Sequence, residues 1–257
     1  MTAAVTYRFY TTNYERVTDA ITRDPQVARE TEYYRSKIET VKSVDDLLAD
    51  RRLVNYVMKA YGLAEMSYAT AFIRKVLTEG VDSDEALANQ LTDRRYRDLA
   101  ADFNFKRYGE TTTTFERTRG GVIERYQRQS IEERAGETST GARLAMYFER
   151  RAGDIKSAYD ILADPALAQV VRTYLGLPPQ TAMIDIDRQA DLINDRLDLA
   201  ELAEPDFLAR FLRDFVVRWD VENPEAAAVP SIVPLAAGVK TISTDLLAAI
   251  QNLKAGR

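Results

Sequence analysis

The chain has 257 residues, of which 46% are apolar and 29% charged, and its 35 basic and 40 acidic side chains give a formal net charge of −5. This apolar fraction can form a core and excludes global disorder. Because the chain contains neither cysteine nor histidine, it excludes disulfides, metal sites built from those residues, and serine–histidine or cysteine–histidine catalysis. The acidic balance argues against general nucleic-acid binding, so we expect protein partners.

Apolar residues recur at helical spacing along most of the chain, and no hairpin signal separates alternating runs. The pattern predicts an all-α protein of about a dozen helices. The clearest stripes are Leu53, Tyr56, Val57, Ala60, Tyr61; Leu144, Tyr147, Phe148, Ala152, Ile155; Leu167, Val170, Val171, Tyr174, Leu175; and the run 207–219. Helix starts are predicted at Asp24-Pro25, Ser43, Ser130, Ser157 and Asp164-Pro165, where a side-chain oxygen can cap free backbone N–H groups.

An internal repeat relates two segments at a constant offset of 114 residues. Residues 33–63, which we call copy one, align without a gap on residues 147–177, copy two, with 11 identities in 31 positions. The shared pattern is Lys-Ser-x-x-Asp-x-Leu-Ala-Asp, an amphipathic helix and Gly-Leu, where the glycine can adopt the left-handed conformation that ends a helix. We therefore predict a duplicated multi-helix unit with a first unit at 1–110, a second at 111–220, and a linker plus C-terminal helix at 221–257.

The C-terminal segment carries its own amphipathic stripe behind a stretch rich in proline and alanine. The stripe consists of Ile242, Leu246, Leu247, Ile250 and Leu253. One interpretation is that this predicted helix folds back on its own body. The other is that it binds a partner or a second copy by helix-in-groove packing, which makes these five residues the candidate partner-binding site.

The candidate metal site is a row of carboxylates at Asp185, Asp187, Asp191 and Asp195. Three of them repeat every four residues on one helix face, and oxygen ligands suit Mg²⁺ or Ca²⁺. Neighbouring Arg188 and Arg196 neutralise part of this charge, and there is no calcium-loop glycine. We therefore predict no metal, cofactor or catalytic residue, and keep a carboxylate- or Mg²⁺-dependent enzyme centred on Asp185, Asp187 and Asp191 as an alternative.

Several segments resemble domain-of-unknown-function family 1217, whose alphaproteobacterial members are often encoded in flagellar gene clusters. The segments that carry the resemblance are residues 42–50, 72–77, 87–91, 141–148, 161–165, 173–178 and 185–190. The resemblance implies a flagellar assembly or motility setting and transfers no catalytic residue.

From these observations we expect a non-enzymatic protein that acts through protein contacts, with flagellar components or by self-association through the C-terminal helix. A cytoplasmic chaperone or adaptor for a flagellar export substrate is the alternative. No apolar run reaches the ~20 residues of a membrane span, and the N-terminus lacks the pattern of a secretory signal. We expect no membrane insertion and a cytoplasmic location, with export to the flagellum as the alternative.

Overall fold

The fold of the chain is known here from a computed structural model, which describes residues 1–224. Every regular element within these residues is a helix, which confirms the all-α prediction. The α-helices are α1 (Ala3–Thr12), α2 (Tyr14–Thr22), α3 (Pro25–Ile38), α4 (Val44–Ala49), α5 (Arg51–Ala60), α6 (Thr70–Glu79), α7 (Leu87–Gln90), α8 (Arg95–Asp102), α9 (Phe105–Tyr108), α10 (Gly120–Thr138), α11 (Thr140–Arg151), α12 (Ala158–Leu162), α13 (Pro165–Leu175), α14 (Ile186–Asn194) and α15 (Pro205–Glu222). Short 3₁₀ helices connect several of them, at Ala64–Met66, Gly109–Thr114, Glu116–Thr118, Ala152–Asp154, Pro179–Met183 and Leu199–Ala203.

Most predicted helix starts are confirmed by their capping hydrogen bonds. The carboxylate of Asp24 accepts the N–H groups of Gln26 and Val27, and Asp164 accepts those of Ala166 and Leu167. Ser157 and Asp160 form a complete capping box. These bonds satisfy donors that a helix leaves unpaired in its first turn.

Two local predictions were wrong. Ser130 lies inside α10 and donates its hydroxyl to the Tyr126 carbonyl oxygen at 2.9 Å, so it starts no helix. A serine can bond backward to the preceding turn as readily as it can cap. The stripe that ended at Ile155 was also too long, because α11 ends at Arg151 and a 3₁₀ turn at Ala152–Asp154 follows.

The internal repeat is also a repeat of structure. The Tyr33 hydroxyl donates to Asp50 Oδ2 at 2.7 Å, and the equivalent Tyr147 donates to Asp164 Oδ2 at 2.5 Å. Both copies end their second helix at a glycine with positive φ, 71° at Gly62 and 63° at Gly176. The backbone N–H of the following leucine then bonds back over the helix end in each copy. The repeat therefore fixes the same tyrosine–aspartate clamp and the same helix stop twice.

Helix α10 lies between the two copies and packs against α5 of copy one and α11 of copy two. Residues 1–224 belong to one compact unit, so both copies share a continuous core. The predicted boundary at residue 110 between a first and a second helical unit stays a prediction. Residues 105–114, where the two predicted units join, are mostly helical: α9 is followed by the 3₁₀ helix Gly109–Thr114, where Thr113 donates to the Val41 carbonyl oxygen at 2.7 Å.

Candidate functional site

The residues predicted to bind a partner, Ile242, Leu246, Leu247, Ile250 and Leu253, lie outside the described residues, as does the predicted C-terminal helix. The carboxylate row lies within the described residues. Asp185 caps α14 by accepting the N–H of Asp187 at 3.0 Å, and Asp187 accepts the Tyr159 hydroxyl at 2.8 Å. Asp195 lies just beyond the last residue of α14. Within residues 1–224, no group of three or more acidic side chains is arranged to hold a metal ion.

An exposed apolar surface lies on two helices that pack side by side at one edge of the fold. Helices α1, α11 and α15 all contact one another. Both carboxylate oxygens of Asp220, in the last turn of α15, accept the first N–H groups of α1, from Ala3 at 2.6 Å and Ala4 at 3.1 Å. This cap ties the start of α1 to the end of α15, since acceptors there complement the positive end of the helix.

The inner sides of α1 and α15 are buried. Tyr7 on α1 donates its hydroxyl to Glu149 of α11 at 3.1 Å, and burial raises the pKa of both groups above their usual values. On α15, Trp219 packs over Gly141 so closely that a Cβ at position 141 would overlap its indole ring. The two helices are thus held on α11 through fixed contacts, which leaves their opposite sides to solvent.

We call the solvent side of this pair the outer face. It carries five large apolar side chains: Met1 just before α1, Val5 and Phe9 on α1, and Val217 and Val221 on α15. They stand at intervals of four residues, which places each set along one line of its helix. Phe9 is 53% exposed and Val221 is 76% exposed.

Exposed charges of both signs lie on α1 and α15, and the acidic ones include Asp206, Asp214 and Glu222 on α15. Arg8, Arg210 and Arg213 are exposed on the same two helices. None of the three forms an ion pair with another residue of 1–224. A row of large exposed apolar side chains on adjacent helices is more typical of an interaction surface than of an ordinary solvated face.

A second feature is a groove that recurs in both copies with different side chains. The groove at copy one is lined by Arg51 and Arg52 of the repeat and by Gln26 and Glu30, which precede the aligned segment on α3. The groove at copy two is lined by the residues 114 positions later, which are Thr140, Leu144, Pro165 and Ala166. The Arg52 guanidinium bonds both Glu30 carboxylate oxygens, at 2.9 and 3.1 Å, and lies 3.9 Å from the centre of the Tyr33 ring.

Copy two has no such pair, because leucine and alanine replace the glutamate and the arginine. Its groove is a cleft of about 330 Å³, which we call the Arg143 cleft after the cation on its rim. The cleft lies where the end of copy one, at Gly62, meets α10, α11 and the start of α13. The sequence pattern identified the repeat but not the loss of the ion pair from the second groove. That loss is visible in the sequence as Glu30 and Arg52 against Leu144 and Ala166.

The fold defines a class: an all-α protein built on a duplicated helical unit. The family profile "Protein of unknown function (DUF1217)" matches residues 60–208, which is more than half of the chain. The chain therefore belongs to this family, as the resemblance predicted. The matched range contains all of copy two but only the last residues of copy one.

A solved structure supports the fold. The chain is 45% identical to a protein of Agrobacterium tumefaciens whose X-ray crystal structure was determined as a structural genomics target. The match covers 87% of this chain and 97% of that chain, with a TM-score of 0.80. No curated protein matches the sequence. Within the described residues, no helix is both long and apolar enough to cross a bilayer.

Proposed function

We propose that the protein is a non-enzymatic component of flagellar assembly or structure, and that its outer face binds an amphipathic helix of a protein partner. The outer face is the observation that carries the proposal of protein contact. The flagellar setting rests on the family resemblance alone.

The geometry of α1 and α15 favours a helix as the bound element. Two adjacent helices that both rest on α11 leave a groove between them, and a further helix in that groove would complete a four-helix arrangement. The apolar residues of the outer face would then contact the apolar stripe of the partner.

Phe9→Asp and Val217→Asp test the outer face, with Met183→Asp as a matched control. Met183 is an apolar side chain that is 87% exposed and does not belong to the outer face. A charge buried in an apolar interface should weaken binding at least about tenfold. We expect both outer-face variants to fold normally and to lose a cross-linked partner from motile cells, whereas Met183→Asp retains it. Equal recovery of that partner with all three variants would refute the assignment of the outer face.

The flagellar setting has its own test, a deletion strain scored for swimming and for filament structure. We expect impaired swimming, restored by the wild-type chain and not by Phe9→Asp. Normal swimming with normal filaments would remove the flagellar assignment. Cell fractionation then separates two roles, since a structural component accompanies the hook or filament and an adaptor for an export substrate stays in the cytoplasm.

A further inference from the structure

We infer that the Arg143 cleft is a binding site for a carboxylate attached to an apolar or aromatic body, a role separate from that of the outer face. Several of the polar groups that line the cleft already have hydrogen-bond partners. Arg95 bonds the carboxylate of Asp93, with its Nη2 at 2.8 Å, and also the Gly62 carbonyl oxygen. Its guanidinium is therefore committed to holding the start of α8 against the end of copy one.

The two carboxylates in the lining are also engaged. Glu132 is bonded by Arg150 through Nε at 2.7 Å and Nη2 at 3.0 Å. Asp164 accepts the Tyr147 hydroxyl and two backbone N–H groups at the start of α13. Neither carboxylate is left to attract a cation, because paired and capped carboxylates have little remaining acceptor capacity.

Three lining groups remain uncommitted, and all three can donate hydrogen bonds. Arg143 forms no ion pair with any residue of 1–224. Its Cδ would be 2.8 Å from a Cβ at position 136, so Gly136 provides the space in which this arginine lies against α10. Gln129 and Thr140 line the same cleft.

Gln129 adds a second uncommitted donor to the cleft beside Arg143. The residue is only 8% exposed, and its side-chain amide has no hydrogen-bond partner within the described residues. The amide atoms are not sealed off within the fold, so they remain open to the cleft, where a ligand oxygen could accept the amide N–H. Arg143, Gln129 and Thr140 together offer a positive charge and several donors, which is the environment that a carboxylate requires.

The remaining lining decides what the carboxylate is attached to. Leu144, Pro165 and Ala166 form an apolar wall at the positions where the groove at copy one has Glu30, Arg51 and Arg52. Apolar surface favours a hydrocarbon body and gives no advantage to a bare inorganic anion. A free aromatic acid and the C-terminal carboxylate of a peptide with an apolar last residue share this chemistry.

The test is an NMR titration of the ¹⁵N-labelled full chain that follows the backbone amides of Thr140 and Ala166. The probes are phenylacetate and acetyl-Gly-Gly-Phe with a free carboxylate, each paired with its neutral amide, and inorganic phosphate. We expect dissociation constants of about 1 mM for probes this small. The probe that binds more tightly identifies the source of the carboxylate, and the amides and phosphate should bind at least about tenfold more weakly.

Two variants change the cleft in different ways. Arg143→Gln should weaken binding at least about tenfold, with recovery in Arg143→Lys. Ala166→Arg restores the arginine of copy one and should block the cleft without removing any charge. Arg52→Ala, a change in the groove of copy one, is the matched control and should leave binding unchanged. Absence of binding by both carboxylates, equal binding of the neutral amides or of phosphate, or unchanged binding in Arg143→Gln would each overturn the inference.

Discussion

The two copies of the repeat share their hydrogen-bonded framework and differ in the residues around it. Both have the tyrosine–aspartate clamp and the left-handed glycine, at equivalent positions. Around this framework, copy one has an aromatic stack and an arginine–glutamate pair, whereas copy two has an apolar core and an open cleft. Duplication thus preserved the parts that build the helices, and the surroundings of each copy changed independently.

The interior shows this divergence most clearly. In copy one Tyr34 stacks on Tyr56, with ring centroids 4.5 Å apart, and donates its hydroxyl to the Thr118 carbonyl oxygen. The equivalents in copy two are Phe148 and Val170, and Phe148 stacks on Phe211 of α15 at 4.9 Å. At these two positions copy one therefore combines aromatic stacking with a buried hydrogen bond, whereas copy two has apolar side chains only.

The largest expected effect comes from removing the aromatic ring in copy two. Phe148→Ala should cost about 3–5 kcal/mol of unfolding free energy, because a fully buried ring leaves a cavity. Tyr34→Phe keeps the ring and removes one buried hydrogen bond, so it should cost only about 1–2 kcal/mol. Urea unfolding followed by circular dichroism measures both losses. A Phe148→Ala loss below that of Tyr34→Phe would contradict the contrast between the two cores.

An intermediate effect is expected where the copies are alike. Asp164→Ala should cost about 2–3 kcal/mol, because α13 loses its cap and the Tyr147 hydroxyl loses its acceptor. Asp50→Ala removes the same contacts from copy one and should cost a similar amount, about 2–3 kcal/mol. Thermal and urea unfolding of both variants measure these losses. Tyr147→Phe separates the two contributions, since it removes the tyrosine hydrogen bond and leaves the cap. A loss of stability in only one of the two aspartate variants would show that the clamp is not equally important in both copies.

The smallest effect is a difference in acid stability between Asp160 and its repeat equivalent Asp46. Burial alone would raise the pKa of Asp160, but hydrogen bonds from the Lys156 N–H, from Ser157 and from Arg94 outweigh it and hold the pKa below its usual value. The pKa of Asp46 is also lowered, by the Lys42 N–H and by Ser43, while only Asp160 has an arginine partner, at 2.5 Å.

A lowered pKa in the folded state means that each carboxylate stabilises the fold above the unfolded pKa of about 4, and that this stabilisation is lost as the pH falls through the lower, folded value. Urea midpoints measured from pH 5 down to pH 2.5 should therefore fall less steeply in Asp160→Asn and in Asp46→Asn than in the wild-type chain. Added salt should reduce the contribution of Asp160 more than that of Asp46, because salt screens the arginine pair. Equal salt sensitivity would argue against a role for Arg94.

Much of the fold could be predicted because its signals are local. A helix start needs only a side-chain oxygen and an N–H group two or three residues away, as at Asp24 and Asp164. The predictions at Ser130 and Ile155 were wrong because a local pattern there fits two structures. A serine can cap a helix or lie inside one, and an apolar stripe can continue past the end of a helix into a 3₁₀ turn. The repeat was equally visible, since it depends only on identities at a fixed offset.

The candidate sites could not be predicted in the same way. The outer face depends on α1 and α15 lying together, an arrangement fixed by a bond between Ala3 and Asp220 that spans 217 positions in the chain. The Arg143 cleft forms where helices from both halves of the chain meet near Gly62. It also depends on which of its polar side chains already have hydrogen-bond partners, as Glu132 and Asp164 do and Arg143 does not. The sequence by itself determined the helices, their caps and the duplication, because these depend on residues within a few turns. Only the tertiary structure decided which apolar and charged side chains remain available, because that depends on what the packed helices cover.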